Sequence, residues 1–362
     1  MTSTVADRLD TPGGFDLYGG YDPTADYMLP SRPENPLMRE SVSMWISDNA
    51  GRFGLPRFTI EAVAGEWDNR GVEANIAFPD GRVLIGAGGF PPSPGKVVDG
   101  RTVTLDAGPL TFELVKPLQQ WKMTFDGEAY ENTVQGQVRG ERTGPRKRVR
   151  IHVDATMAIP PWSPGERSRD VATVKAFGIV GGHRHEQLFK CKGRMTVAGE
   201  APIDFDGTGL RVRRYGARDV GEFPGHVWMS ALFPSGKGFG VQVFPPRADG
   251  TPSHNEAFVF ENGRKTYARV LEAPWMTEFV PHDGAVDLLL ETDSGRVRIE
   301  GRTHDSTFIQ KGNPMFGDWT QNGSEIFVAL PFHQGGARYV WDGEVTYGMI
   351  ERSYPADKML KR

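Results

Sequence analysis

The sequence predicts an all-β fold built from two similar antiparallel β domains in tandem. Apolar and polar residues tend to alternate, and no segment shows a convincing apolar stripe with the 3.6-residue period of a helix. The 45 glycines and 27 prolines are spread through the 362 residues and separate these short runs with turns. Positions also repeat between the halves, since Trp45 and Glu73 have counterparts at equal spacing in Trp228 and Glu256. Each half is long enough for a barrel that holds one small ligand.

The first domain is expected at 39–175, after an irregular arm at 1–38 that is rich in Gly, Pro, Asp and Tyr. Pro79-Asp80-Gly81-Arg82 predicts a hairpin turn, because Asp-Gly readily adopts the positive φ required there. Strands are expected at 42–46, 58–63, 72–78, 83–85, 101–105, 110–115, 119–126, 131–140 and 148–158.

Residues 159–183 interrupt this alternation, since Pro160-Pro161 and Pro164-Gly165 break any strand. We interpret this stretch as the connection between the domains, with room for one short helix at 166–177. Strand-like runs resume at 186–198 and continue to about residue 350, so the second domain is expected at 176–362.

Composition narrows the classes of function. A net charge of −4 gives no electrostatic reason to expect a nucleic-acid partner, and the basic stretch 142–150 lacks interleaved aromatic residues. The single cysteine, Cys191, excludes an internal disulfide and a cysteine-rich zinc site. The sequence shows neither a secretory signal nor an apolar run of the ~20 residues that span a bilayer. We therefore expect a cytoplasmic protein without integral membrane association. The sequence leaves the oligomeric state open, and a homo-oligomer is one of the possibilities.

An unusually cationic segment at 206–219 is the most distinctive local feature. Glycines flank a short extended run in which Arg211, Arg213 and Tyr215 share one face, while Val212 and Arg214 share the other. Several cations so close together need either solvent or anionic partners. The segment is therefore either a solvated edge strand or a polar wall of a ligand pocket.

Short motifs in a fixed order connect the chain to a known family. They are Glu40-Ser41-Val42, Pro79-Asp80-Gly81-Arg82, Glu186-Gln187, the run from Gly193 to Val197, Asp206-Gly207-Thr208-Gly209, the run from Tyr215 to Asp219, and the run from Tyr347 to Ser353. With these motifs the sequence resembles the carotenoid 1,2-hydratase (hydroxyneurosporene synthase)-like and AttH-like superfamily over roughly residues 40–353. The resemblance implies two lipocalin-like β-barrels packed together, a hydrophobic pocket and no cofactor. Family members include hydratases of prenoid double bonds, and similar two-domain folds house pericyclic cyclases.

One segment departs from the family pattern. Residues 212–215 stand where the family carries an acid and a histidine suited to proton transfer. Gly209, Gly216, Arg218 and Asp219 match the pattern. Arginines in place of the acid and the histidine suit an anionic substrate or transition state.

The leading functional hypothesis is a cofactor-independent lyase, hydratase or isomerase acting on a hydrophobic aromatic, prenoid or steroid-like molecule. Tyr215 or His185 would transfer the proton, and Arg213 or Arg218, with Asp219 beside it, would stabilise negative charge. No metal is expected, because His183 and His185 alone are too few ligands and no partner motif accompanies them.

Further residues are candidates for contact with the substrate because they are aromatic or polar and lie in the second half or in the cationic segment. They are Arg211, Arg214, Glu186, Trp228, Trp319, Trp341 and Tyr347. Two alternatives remain: a non-catalytic carrier of an apolar ligand, and a cyclase-like template whose pocket only preorganises a reactive polyene.

Overall fold

The computed structural model describes residues 14–141, 143–165, 182–217, 224–246, 253–309, 331–354 and 359. The predicted all-β class is confirmed, since the described residues form twenty strands and one short α-helix. Two 3-10 turns, Pro23–Asp26 and Ala64–Glu66, complete the regular structure. None of the helices in these ranges is long and apolar enough to cross a membrane.

The first unit contains the strands up to residue 217. In chain order they are β1 Met38–Asp48, β2 Gly54–Val63, β3 Arg70–Ala77, β4 Arg82–Phe90, β5 Val97–Val98, β6 Arg101–Thr102, β7 Thr104–Ala107, β8 Leu110–Lys116, β9 Gln120–Thr133, β10 Arg146–Met157, β11 His183–Val197 and β12 Ile203–Ala217. Ten of them form one sheet in the order β10-β11-β12-β1-β2-β3-β4-β9-β8-β7. Because β9 also pairs with β10, eight of these strands close into a ring, from which the β7-β8 hairpin extends.

The second unit is a closed barrel of eight antiparallel strands joined in chain order. They are β13 His226–Leu232, β14 Gly238–Val243, β15 Asn255–Glu261, β16 Arg264–Glu272, β17 Leu288–Thr292, β18 Gly295–Ile309, β19 Phe332–Trp341 and β20 Glu344–Ser353. Two barrels in tandem agree with the predicted architecture.

The change from one barrel to the other lies between Ala217 and His226, later than the expected boundary at 175/176. Strand β12 pairs with the whole length of β1, from Met38 opposite Ala217 to Asp48 opposite Gly207. Glycine permits this close approach at Gly209, where an added Cβ would lie 2.1 Å from the carbonyl oxygen of Trp45. Strands β11 and β12 therefore complete the first barrel instead of opening the second.

Besides a smaller cluster that packs Val134 of α1 against Met276, Phe279 and Phe308, three apolar clusters hold the described residues together. The first barrel encloses one core and the second barrel encloses another, each built from the inward-facing side chains of its strands. A third cluster packs the barrels against each other, and at its centre the rings of Trp45 and Trp228 meet edge-to-face at 4.6 Å. The repeated tryptophans of the sequence thus face each other across the junction.

One expected strand is partly helical. Within the run predicted as a strand at 131–140, residues Val134–Val138 form the helix α1. Thr133 caps this helix, since its side-chain oxygen accepts a hydrogen bond from the backbone N–H of Gly136 at 3.0 Å. The helix expected at 166–177 lies outside the described residues.

Candidate functional site

The cationic strand β12 turns its two faces towards different parts of the molecule. Leu210 and Val212 pack in the apolar cluster between the barrels. Arg211 and Arg213 point the other way, into the first barrel, where both are fully buried. The predicted alternation is therefore observed, and it separates the arginines into two environments.

Inside the first barrel, an aspartate of the N-terminal arm neutralises Arg211. Asp26 Oδ1 accepts hydrogen bonds from Arg211 at 2.7 Å and from His185 Nε2 at 2.8 Å. Its Oδ2 accepts from the backbone of Leu118 at 2.6 Å and from Trp121 Nε1 at 3.2 Å. Burial alone raises the pKa of Asp26, but the Arg211 charge and the hydrogen bond from His185 outweigh it and hold the pKa well below its usual range. Asp26 therefore fastens the arm to the barrel as a carboxylate.

Arg213 completes this attachment. Its guanidinium donates to Glu40 Oε1 at 2.6 Å and to the carbonyl oxygen of Tyr27 at 2.7 Å. The half-buried Tyr215 stacks on His183 at 4.7 Å. Arg211, Arg213 and His185 thus bind the arm and its surroundings, while Arg211 Nε and His185 Nδ1 have no hydrogen-bond partner among the described residues. These contacts favour a structural role for the three residues, and the predicted substrate contact and proton transfer stay predictions.

The junction between the barrels contains other predicted residues. Trp228 Nε1 donates to Glu186 Oε2 at 3.0 Å, and Arg184 forms an ion pair with the same carboxyl at 2.6 Å. On β12, Arg214 pairs with Glu61. Glu186, Trp228 and Arg214 therefore lie at the inter-barrel face, as a site between the barrels requires.

Next to them lies a cluster of charged groups that the sequence analysis did not select. Arg57 Nε lies 2.7 Å from Glu73 Oε2, and Arg57 Nη1 lies 3.5 Å from Glu351 Oε2. Glu73 comes from β3 of the first barrel and Glu351 from β20 of the second, so one guanidinium bridges two carboxyl groups across the junction. The side chain of Arg57 keeps 19% exposure while both carboxyl groups are buried, so Arg57 is the solvent-facing end of the cluster.

Local backbone geometry aims Arg57 at the junction. The pairing of β2 with β3 shifts register between Gly54 and Phe58, and Arg57 has a positive φ of 65°. A non-glycine residue in this conformation is uncommon, and a bulge of this kind redirects a side chain. Strain of this kind clusters at functional sites.

The two carboxyl groups have pKa values displaced in opposite directions. Burial raises the pKa of Glu73 to about 7; the Arg57 charge opposes this rise and the neighbouring Glu351 adds to it. Burial also acts to raise the pKa of Glu351, but the hydrogen bond from His226 and the Arg57 charge together lower it. Near neutral pH, Glu73 can therefore hold or release a proton while Glu351 stays ionised.

A chain of hydrogen bonds extends from Glu351 in two directions. His226 Nε2 lies 3.0 Å from Glu351 Oε1, and His226 Nδ1 lies 2.7 Å from Ser353 Oγ. Gln334 Nε2 donates to Glu351 Oε2 at 2.9 Å and its Oε1 accepts from Asn75 at 3.4 Å. Since an ionised Glu351 can only accept, His226 donates from Nε2 to Glu351 Oε1.

Several buried polar atoms at the junction have no hydrogen-bond partner among the described residues. They are Glu73 Oε1, Asn75 Oδ1, Trp45 Nε1, Ser230 Oγ and Gln242 Oε1. An unsatisfied buried polar group costs about 1–3 kcal/mol, so a concentration of such atoms requires an explanation. A ligand with polar groups would satisfy them.

The remaining predicted residues lie elsewhere. Trp341 packs in the core of the second barrel beside Phe233, because its strand turns it inward, away from the junction. Tyr347 lines a groove of about 800 Å³ at the edge of the junction, next to His304. Arg218, Asp219 and Trp319 lie outside the described residues.

The functional residues that sequence reasoning missed left only faint signals. Glu73 belongs to the repeated positions but reads as an ordinary strand residue. Glu351 lies within the closing family motif, where alternation with Tyr347 allows it either to face a cavity or to be an ordinary strand residue. Arg57 and His226 belong to none of the motifs. Within the described ranges, no group of three or more His, Cys, Asp or Glu residues is arranged to hold a metal ion.

Solved structures with the same architecture span nearly the whole chain. An AttH-like protein from Nitrosomonas europaea matches over 90% of this chain and 98% of its own, with 14% identity and a TM-score of 0.55. CghA, in a structure with Sch210972, matches over 89% of both chains with 11% identity and a TM-score of 0.57. Kievitone hydratase from Nectria haematococca gives a TM-score of 0.43 at 12% identity, over 87% of this chain and 88% of its own.

The TM-scores of the first two structures show a shared fold, so the resemblance to AttH-like proteins is confirmed at that level, whereas none of these matches concerns carotenoid 1,2-hydratase. No curated protein sequence matches the chain. A family model described as "Domain of unknown function (DUF7064)" matches residues 22–356.

Proposed function

The chain belongs to the family described as domain of unknown function (DUF7064), and from its inter-barrel site we propose that it is an enzyme acting by proton transfer on a hydrophobic small molecule. The reaction is an addition, elimination or isomerisation at a carbon centre that uses no cofactor. The observation that carries the proposal is the Glu73–Arg57–Glu351 cluster, in which one arginine bridges two buried carboxyl groups whose pKa values are displaced in opposite directions.

Glu73 is the proton-transfer group in this mechanism. As a carboxylate it removes a proton from carbon, and as the resulting acid it returns that proton to a leaving oxygen or to a second carbon. A pKa of about 7 suits both steps, because the rate of general acid–base catalysis is greatest when the pKa lies near the working pH. Loss of a hydroxyl group in this way releases water and leaves the enzyme unchanged.

Arg57 and Glu351 support the transfer. Arg57 provides the positive charge for a developing enolate or phenolate oxygen, and such preorganised charge is typically the largest catalytic contribution. Glu351 stays ionised and pairs with Nη1 of Arg57, and the hydrogen bond from His226 holds the Glu351 carboxylate in position. The rings of Trp45 and Trp228 line the junction and suit an apolar or aromatic substrate body.

The structural neighbours support a ligand site in this fold. CghA was solved with Sch210972, so a protein of the same two-barrel architecture accommodates a ligand. The aromatic or prenoid nature of the substrate, the lyase or isomerase class, and the cytoplasmic location remain proposals of the sequence analysis.

The experiment that tests the proposal follows hydrogen exchange at carbon. The purified protein is incubated in D₂O with a panel of phenolic, prenoid and steroid-like compounds, and each compound is analysed by mass spectrometry. We expect wild-type protein to introduce deuterium at carbon in at least one compound, and Glu73→Gln to reduce the rate by about 10²-fold or more.

Two other outcomes point to the alternatives. A compound that is retained by the protein but gains no deuterium indicates a carrier. A compound that is cyclised without gaining deuterium, at a rate that Glu73→Gln leaves unchanged, indicates a template. The matched control is Glu200→Gln on the surface of the first barrel, which pairs with Arg82 and Lys147 away from the junction and leaves exchange unaffected.

A further inference from the structure

The second barrel buries an arginine, Arg352, that has no carboxylate partner among the described residues. Arg352 on β20 is only 4% exposed, and it points into the barrel on the side of Ile350, which belongs to the barrel core. Among the described residues, no carboxyl group forms an ion pair with it. Every other deeply buried arginine discussed above has such a partner.

The groups that contact Arg352 are neutral. Its Nε and Nη2 donate to Nδ1 of His333 at 3.3 and 3.2 Å, and its Nη1 donates to the carbonyl oxygen of Pro274 at 3.1 Å. Because arginine only donates, Nδ1 of His333 is the acceptor and the ring proton lies on Nε2. That proton is directed at Ser306 Oγ, 2.9 Å away, and the serine hydroxyl donates to the carbonyl oxygen of Pro281 at 2.7 Å. This orientation makes Ser306 a structural donor and not an activated nucleophile.

The charge on Arg352 persists at neutral pH. Burial lowers its pKa to about 10, which still leaves the guanidinium protonated. Burial and the Arg352 charge also hold the pKa of His333 well below its usual range, so the imidazole adds no charge of its own. Three of the five guanidinium N–H groups make these contacts, and one further N–H on each of Nη1 and Nη2 makes none of them.

A buried charge that finds no counter-ion among the described residues is costly and requires compensation. The surroundings are aromatic: the ring of Phe279 lies 5.3 Å from His333 and 4.7 Å from Phe308. We propose that this end of the second barrel binds a small molecule that carries a carboxylate on an apolar, aromatic body, with Arg352 as the counter-ion. The site is separate from the inter-barrel cluster, because Glu351 and Arg352 are adjacent in a strand and point to opposite faces.

Binding of 2-naphthoate and of its neutral isostere 2-naphthamide, measured by isothermal titration calorimetry, tests this site. We expect wild-type protein to bind the carboxylate at least tenfold more tightly than the amide, in line with a charge-assisted hydrogen bond to a buried group. Arg352→Met should remove that preference. Arg352→Lys, which keeps the charge but not the fork, should retain part of it and serves as the second variant if the first does not fold.

Glu73→Gln locates the site, since it alters the inter-barrel cluster and leaves Arg352 in place. We expect it to bind 2-naphthoate as the wild type does. The proposal is overturned if wild-type protein does not distinguish the two compounds, if both Arg352 variants bind the carboxylate with wild-type affinity, or if Glu73→Gln changes the preference in either direction. The last result would place the bound carboxylate between the barrels.

Discussion

Replacing Asp26 by asparagine should destabilise the protein strongly, because Asp26 neutralises a buried arginine at the centre of the first barrel. Its carboxylate accepts four hydrogen bonds, including those from Arg211 and His185, and it has no exposed surface. Removing one partner of a buried ion pair costs about 3–5 kcal/mol, since the other charge is left without compensation. That is a large fraction of the ~5–15 kcal/mol by which a domain is stable. The free energy of unfolding from urea titration, followed by tryptophan fluorescence, measures this loss.

Two companion variants make the measurement specific. Asp22→Asn removes a charge from the same arm at a position that only caps a 3-10 turn, so it should cost well under 1 kcal/mol. Adding Arg211→Met to Asp26→Asn removes the uncompensated charge and should restore part of the loss. A loss for Asp26→Asn no larger than that for Asp22→Asn would refute the assignment of Asp26 as the anchor of the arm.

The same variant has a predictable pH dependence. The folded-state pKa of Asp26 is depressed, so its contribution is fully present above the unfolded pKa of about 3.9 and is lost as the pH falls through the folded value. The difference between wild type and Asp26→Asn should thus be constant from pH 7 to 5 and shrink below pH 4. A difference that is already lost at pH 5 would contradict the depressed pKa.

Three further predictions follow from the junction and the first barrel. The folded-state pKa of Glu73 is raised from 4.5 to about 7, so its stabilising contribution is full below pH 4.5 and is lost as the pH rises through 7. The free energy of unfolding of Glu73→Gln should therefore rise relative to that of the wild type by up to about 3 kcal/mol between pH 4.5 and 8. Urea titrations at several pH values check this, and a pH-independent difference would contradict it. Trp228→Phe loses a hydrogen bond to the buried Glu186, whereas Trp45→Phe loses none to a described residue, so the first should cost about 1.5–3 kcal/mol more in unfolding free energy, and equal losses would refute the assignment. Burial raises the pKa of the Cys191 thiol to about 12, so iodoacetamide at pH 8 should alkylate native protein far more slowly than unfolded protein, as intact mass spectrometry will show.

Much of the fold was predictable because strand alternation and turn chemistry are local properties. The Asp80-Gly81 turn is one example, with Gly81 at φ 86° as expected. The domain boundary, in contrast, is set by long-range strand pairing and not by local sequence. The chain resumes strand-like alternation after residue 183, and only the pairing of Arg213 with Val42 across β12 and β1 shows which barrel those residues complete. Long-range register of this kind leaves no mark in a single sequence.

The site was harder to predict for a related reason. The face alternation of β12 was foreseen, but the partners of its arginines come from distant parts of the chain: Asp26 in the arm for Arg211, and Glu61 in β2 for Arg214. An arginine-rich strand therefore read as a catalytic centre although half of it anchors the arm. Arg57 reaches the junction through a bulge, which no residue pattern announced.

The measurement that tests the central claim most directly is the ionisation of Glu73 in the folded protein. Infrared difference spectra between wild type and Glu73→Gln, recorded from pH 5 to 9, separate the protonated carboxyl from the carboxylate at this one position. We predict that the carboxyl signal is lost with a midpoint near pH 7, as burial beside Arg57 and Glu351 requires. A midpoint near 4.5, the value of an ordinary glutamate, would contradict a proton-transfer role for Glu73.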